Sequence, residues 1–65
     1  MAKVGDTIRI LALAPNEDGT HDPTEQIYVG KTGKVTAIHD DGSISGTWGG
    51  INLLSVDFYE IVSEA

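Results

Sequence analysis

The chain lacks cysteine altogether. This absence excludes disulfide bonds, thiol nucleophiles, and zinc or iron–sulfur sites that use cysteine ligands. The chain also lacks a long apolar run, because its longest one, Ile10 to Ala14, is far too short for a signal peptide or a membrane span. We therefore predict a cytoplasmic protein that has no membrane role and works in a reducing compartment.

Basic side chains are scarce. Four Lys and Arg residues stand against ten Asp and Glu residues, which gives a net charge of -6. Because Lys and Arg neutralise phosphates in most nucleic-acid complexes, this composition argues against nucleic-acid binding. One alternative stays open, in which Arg9, Lys31 and Lys34 converge beside an exposed aromatic side chain.

The length bounds the architecture. A chain of 65 residues predicts one domain, spanning 1–65, in which most of the large apolar side chains are needed for the core. Little then remains to enclose a deep pocket of the kind that most enzymes use. We therefore expect a domain that is not an enzyme.

Alternation of apolar and polar side chains predicts β-strands. The pattern is clear in Ile8 to Leu13, in Gly33 to Ile38, and in Ser43 to Trp48. Shorter runs of the same kind, Ile51 to Leu54 and Phe58 to Val62, predict two further strands. The sequence therefore predicts an all-β domain.

Turn residues separate these predicted strands. Asp40-Asp41-Gly42 predicts the connection of a hairpin, Gly49-Gly50 a second tight turn, and Ser55-Val56-Asp57 a 3₁₀ turn before the last strand. The segment from Pro15 to Pro23 holds both prolines, so no regular element is expected across it. The whole connection of which it is part is long, at roughly 15 residues. Long loops of this kind are often functional, so this first loop is a candidate for binding.

The order of these elements resembles the SH3-like barrel, a small five-stranded all-β fold with a long first loop. The segments Val4–Arg9, Val29–Val35, Ile38–Ile44, Thr47–Trp48 and Val56–Val62 resemble a short bacterial and phage family that is catalogued as a domain of unknown function. This resemblance covers nearly the whole chain. It implies a five-stranded barrel and carries over no catalytic residue.

The segment from Val29 to Ile38 also resembles the KOW-type motif of ribosomal and transcription-factor barrels, in which a glycine-bounded strand pair contacts RNA or protein. This resemblance implies barrel geometry and leaves a KOW-like nucleic-acid binder as a further alternative. Polyproline binding is not expected, because SH3 domains with that activity present several aromatic side chains along a groove. The aromatic side chains of this chain are Tyr28, Trp48, Phe58 and Tyr59.

No motif predicts catalysis or metal binding. Serines and histidines are not adjacent in a way that pairs a nucleophile with a base. The pairs His21-Asp22 and His39-Asp40 lack the spacing of recognised metal sites. We therefore predict no catalytic residue, no metal and no cofactor.

The stretch from Gly42 to Val56 contains no charged side chain. Interface cores are depleted in charge and enriched in aromatic residues, so we interpret this stretch and the first loop as a surface that binds a protein partner or a second copy of the chain. The candidate binding residues are Trp48, Ile51, Leu53, Leu54 and Tyr28. In the alternative interpretation these side chains fill the core. Neighbours on a strand cannot both point inward, so Leu53 or Leu54 must face out.

A second functional hypothesis starts from the acidic side chains. If they lie along one face, they can mimic nucleic-acid phosphates and inhibit a nucleic-acid-handling protein, as a phage or plasmid product would. Such binding weakens steeply with added salt. The acidic side chains that would form the stripe are Glu17, Asp18, Asp22, Glu25, Asp40, Asp41, Asp57 and Glu60.

Overall fold

The computed structural model describes residues 2–65. Its elements are strand β1 (Thr7–Ala12), helix α1 (Pro23–Gln26), and strands β2 (Thr32–Ile38), β3 (Ile44–Gly46) and β4 (Phe58–Ser63). The strands form one four-stranded sheet in the order β3-β2-β1-β4, and all neighbours are antiparallel. The predicted all-β class is confirmed.

Strand β1 lies in the interior of the sheet and pairs with both β2 and β4. Its β-branched residues Ile8 and Ile10 are fully buried, whereas Arg9 between them is exposed. This alternation follows from the two-residue period of a strand. Burial of each isoleucine stabilises the fold by about 1.5–3 kcal/mol.

The hairpin of β2 and β3 has the predicted turn. Gly42 adopts a φ of 87°, in the left-handed region that favours glycine. The Oδ1 atom of Asp41 accepts hydrogen bonds from the Ser43 hydroxyl at 2.6 Å and from the Ser43 amide at 2.9 Å. The hydroxyl bond is the main reason why the pKa of Asp41 is lowered.

Two predicted strands are shorter than expected. The third strand ends at Gly46, because the chain then turns and carries Trp48 into the core. The predicted fourth strand, Ile51 to Leu54, is reduced to one bridge in which Ile44 and Leu53 exchange two backbone hydrogen bonds of 2.9 Å. The segment before β4 is a single turn closed by a 3.0 Å bond from the Asp57 amide to the Leu54 carbonyl.

The expectation of a first loop without regular structure was wrong at its end, where α1 forms one helical turn. Asp22 caps this turn, and its Oδ1 accepts from the Thr24 amide at 2.9 Å and the Thr24 hydroxyl at 2.7 Å. Pro23 at the first helical position has the backbone φ that a helix needs and no amide hydrogen to leave unpaired.

One cluster of buried apolar side chains forms the core, with Trp48 as its largest member. The backbone of Gly46 lies directly against the Trp48 ring, so a Cβ there would overlap it. A Cβ on Gly33 would lie 2.7 Å from the Trp48 amide nitrogen. The buried apolar residues are Ala2, Ile8, Ile10, Leu13, Val35, Ile44, Trp48 and Leu53.

Asp6 is the one buried carboxylate among the described residues, and it joins the two ends of the described chain. Its Oδ1 accepts from the Ala65 amide and its Oδ2 from the Lys3 amide, both at 2.8 Å. These two hydrogen bonds lower the pKa of Asp6 below its usual value of 3.8 because they stabilise the charged form. The bond from the Ala65 amide has the larger effect, and the bond from the Lys3 amide comes second.

The contact between Gly46 and Trp48 predicts the effect of a single methyl group. We expect Gly46→Ala to lower the free energy of unfolding by about 1–3 kcal/mol or more, because the ring has no room to move in a close-packed core. Urea denaturation measures this loss. Gly50→Ala is the control, because a Cβ at Gly50 meets no atom within 4 Å. Equal losses in the two variants would contradict the packing role.

The pKa of Asp6 predicts a loss of stability in acid. A carboxylate whose folded-state pKa is lowered stabilises the fold fully above the unfolded value of 3.8, and this contribution is lost as the pH falls through the folded pKa. We expect Asp6→Asn to lower stability at neutral pH and to reduce the further loss below pH 3.8. Thermal unfolding across this range tests it, with the exposed Glu64→Gln as the control. A variant with unchanged acid sensitivity would contradict the role of Asp6.

Candidate functional site

The structure divides the predicted binding residues between core and surface. Trp48 is 4% exposed and Leu53 is 0% exposed, so neither side chain can reach a partner and both leave the candidate surface. Leu54 is 51% exposed, which agrees with the expectation that one of the two leucines faces out. Ile51 and Tyr28 are half-buried against the core.

Ile51 and Leu54 lie together in a groove between the first loop and the segment that leads to β4, which we call the loop groove. It has a volume of about 270 Å³. Two of its lining residues, Leu54 and Val56, carry large apolar side chains that are exposed, the latter 59% exposed. The sequence interpretation placed Val56 at the end of the uncharged stretch but did not select it.

Asp57 holds the two walls of the loop groove together. Its Oδ1 accepts from the Ala14 amide and its Oδ2 from the Leu54 amide, both at 2.7 Å. A single carboxylate therefore connects the first-loop wall, at Ala14, to the wall formed by the segment before β4, at Leu54. Sequence reasoning missed this residue as a link, because the two contacts lie 43 and 3 positions away along the chain.

Trp48 is linked to the loop groove by one hydrogen bond. Its Nε1 donates to the Ile51 carbonyl at 2.8 Å, which satisfies the only polar atom of the buried ring. This bond fixes the backbone at Ile51, which lines the loop groove. Tyr28 lies elsewhere, against the backbone of Gly49, and Lys31 Nζ lies 5.6 Å from the centre of its ring.

A second hollow, which we call the hairpin groove, lies beside the β2–β3 hairpin. It has a volume of about 290 Å³ and is largely apolar. Leu54 lines both this hollow and the loop groove, so the two hollows meet at that side chain. The residues that line the hairpin groove are Ala2, Ile38, Gly42, Ile44, Leu53, Leu54, Ser55 and Tyr59.

The charges near the loop groove have one sign. Glu25 and Asp57 line it, and no Lys or Arg does. Of the bases that the nucleic-acid alternative requires, Lys31 does lie over an aromatic ring, that of Tyr28, but Arg9 is paired with Glu60 at 2.7 Å. One of its three bases therefore already has a charged partner within the chain.

Several acidic side chains of the proposed phosphate-like stripe take part in the chain's own turns. Asp18 accepts from the Thr20 hydroxyl at 2.6 Å, and the Asp22 bond to Thr24 is of the same kind. These hydroxyl bonds are the largest cause of the lowered pKa of each aspartate. Such carboxylates order loops, because they satisfy backbone and hydroxyl donors close to them in sequence.

The expectation that no serine and histidine lie together was wrong. The hairpin brings His39 Nε2 to 2.7 Å from Ser45 Oγ, and Ser45 Oγ donates to Asn52 Oδ1 at 2.8 Å. Since the single hydroxyl proton is used toward Asn52, the imidazole donates to the oxygen and does not accept a proton from it. This arrangement does not activate a nucleophile.

Within residues 2–65, no group of three or more His, Asp or Glu side chains is arranged to hold a metal ion. No helix in the same part of the chain is long and apolar enough to cross a membrane.

No protein-family model matches the sequence, and neither a curated protein nor a solved structure is significantly similar to it.

The two hydrogen bonds that Asp57 accepts predict what its removal does to the walls of the loop groove. We expect Asp57→Ala to lower stability by about 1–3 kcal/mol, because two backbone amides lose a charged acceptor. We also expect the amides of Ala14 and Leu54 to exchange their hydrogens faster, as measured by NMR. Asp40→Ala, in the exposed hairpin turn, is the control. Unchanged exchange at both amides would show that Asp57 does not hold the walls.

Proposed function

We propose that this protein is a non-catalytic interaction module that binds an extended segment of a protein partner in the loop groove. The observation that carries the proposal is the pair of exposed apolar side chains, Leu54 and Val56, over hollows that meet at Leu54. Exposed apolar side chains gathered beside a groove are typical of interaction surfaces.

The fold that we propose for this module is the five-stranded SH3-like barrel, left open on the side of β4 that faces away from β1. The sheet order β3-β2-β1-β4 supports it, because the chain returns beside β3 at Leu53, in the place of a further strand. The long first loop and the turn of Leu54 to Asp57 before β4 also agree with that plan. The resemblance to the short bacterial and phage family remains part of this proposal.

The size of the groove favours a protein segment over a small molecule. Small-molecule sites typically enclose about 300–1,000 Å³ and bury most of the ligand. The loop groove, at about 270 Å³, lies below this range and is formed by the surface of a loop and a turn. An apolar side chain of a partner can rest on Leu54 and Val56 while the rest of the segment remains at the surface.

Charge favours a basic partner. Glu25 and Asp57 line the groove, Glu17 and Asp18 belong to the same first loop, and the whole chain carries a net charge of -6. A field of one sign steers an oppositely charged partner and makes association sensitive to salt. We therefore propose a segment with apolar residues and Lys or Arg beside them.

The other two hypotheses have less support. A phosphate-like stripe needs carboxylates directed toward a partner, whereas Asp18, Asp22 and Asp41 each bond a hydroxyl within their own turn. A KOW-like nucleic-acid binder needs available bases, whereas Arg9 is paired with Glu60. We therefore make protein binding the principal proposal.

Selection of phage-displayed random peptides against the protein tests this function. We expect enriched peptides that combine Lys or Arg with an apolar residue and bind with dissociation constants of about 1 μM to 1 mM. We expect Leu54→Ser to weaken their binding by about tenfold or more, because the apolar contact is lost. A folded protein that enriches no peptide would contradict the proposal.

Leu11→Ser is the matched control for Leu54→Ser. Leu11 is 48% exposed, close to the value for Leu54, but it lies on β1 and lines neither groove. The control should bind the selected peptides as the unmodified protein does. Equal weakening by both substitutions would place the binding surface outside the loop groove.

A further inference from the structure

Strand β4 forms an open edge of the sheet. It is hydrogen-bonded to β1 on one side, and no other strand of residues 2–65 lies beside it. At the opposite edge, β3 is extended by the bridge to Leu53. An open edge presents backbone donors and acceptors that another strand can use.

This edge has few of the features that normally prevent pairing with another chain. Its six residues, FYEIVS, include no Lys and no Pro. Its single charge, on Glu60, is neutralised by Arg9 at 2.7 Å. Register shifts occur at both ends of the β1–β4 ladder, but Tyr59, Glu60 and Ile61 pair regularly between them.

The edge is apolar on both faces of the sheet. Phe58 is 66% exposed and Val62 is 48% exposed. Tyr59 and Ile61 are paired with the buried residues Ile10 and Ile8, yet Ile61 is still 38% exposed. A strand added outside β4 would cover apolar surface on both sides at once.

The order of side chains along β4 favours a second copy of the chain as its partner. Around Glu60, two aromatic residues precede and two β-branched residues follow. An antiparallel copy related by a twofold axis at Glu60 therefore places Phe58 opposite Val62 of the copy, and Tyr59 opposite its Ile61. Pairs of an aromatic and a β-branched residue are favourable across antiparallel strands.

We propose that the protein forms a twofold dimer in which β4 of one copy pairs antiparallel with β4 of the other. The two sheets then join into one continuous sheet, and the interface is the same patch on both copies. The dimer uses an edge that is separate from the loop groove.

Electrostatics makes this dimer weak and dependent on salt. Each copy carries a net charge of -6, and the twofold axis brings the two Glu60 side chains opposite each other. Arg9 of each copy offsets the local charge through its bond to Glu60. Added salt screens the remaining repulsion, so it tightens the dimer, whereas it weakens binding of a basic segment to the loop groove.

Sedimentation equilibrium of the purified chain tests the proposal at ionic strengths of about 0.01 M and about 1 M, where screening differs strongly. We expect a monomer–dimer equilibrium that is tighter at the higher ionic strength. Val62→Lys places a charge on the edge and should weaken the dimer by about tenfold or more. Phe58→Ser, which removes an exposed apolar contact without adding charge, should weaken it in the same direction.

Val56→Lys is the matched control, because it makes the same change of charge at a residue 59% exposed that lies outside β4. It should leave the dimer intact while it abolishes peptide binding in the loop groove. Failure of one proposal is therefore separable from failure of the other. The proposed interface would be overturned by a protein that stays monomeric at about 1 mM. It would also be overturned if Val62→Lys left the dimer unchanged, or if Val56→Lys weakened the dimer as much as Val62→Lys does.

Discussion

The placement of Trp48 is the constraint on which the rest of the fold depends. Its ring fits because Gly46 and Gly33 have no Cβ, and its Nε1 holds the Ile51 carbonyl at 2.8 Å. The chain leaves β3 at Gly46 and returns beside it at Leu53. The largest aromatic side chain thus fixes the backbone of Ile51, which lines the loop groove, without lining the groove itself.

The strands could be predicted because alternation is a local signal. Ile8 and Ile10 show it directly, and the turn at Gly42 has its own local signature. The sequence left the position of Trp48 open between core and surface, because it depends on which glycine backbones lie against the ring in the folded state. The turn at Pro23 had a local signal in the Asp-Pro pair, but the two prolines suggested irregular structure instead.

The candidate surface was predictable only in part. Leu54 follows from the rule that neighbours on a strand face opposite ways. Asp57 does not, because in a chain with ten acidic residues nothing local marks the one that bonds Ala14 across the fold. Asp6 is a similar case, since its amide partner Ala65 is 59 positions away. The acidic-stripe hypothesis counted Asp57 as a surface charge, whereas its hydrogen bonds to two backbone amides give it a structural role.

The two apolar surfaces differ because of the charges around them. The loop groove has Glu25 and Asp57 in its lining and no base, so its field attracts cations. Glu60 is the one charged residue of β4, and Arg9 on the neighbouring strand β1 offsets its charge. The edge is therefore a nearly neutral strip on an acidic protein. A neutral strip is where two copies that each carry -6 can approach with least repulsion. The pairing of Arg9 with Glu60 is therefore what makes the proposed dimer compatible with a net charge that otherwise opposes it.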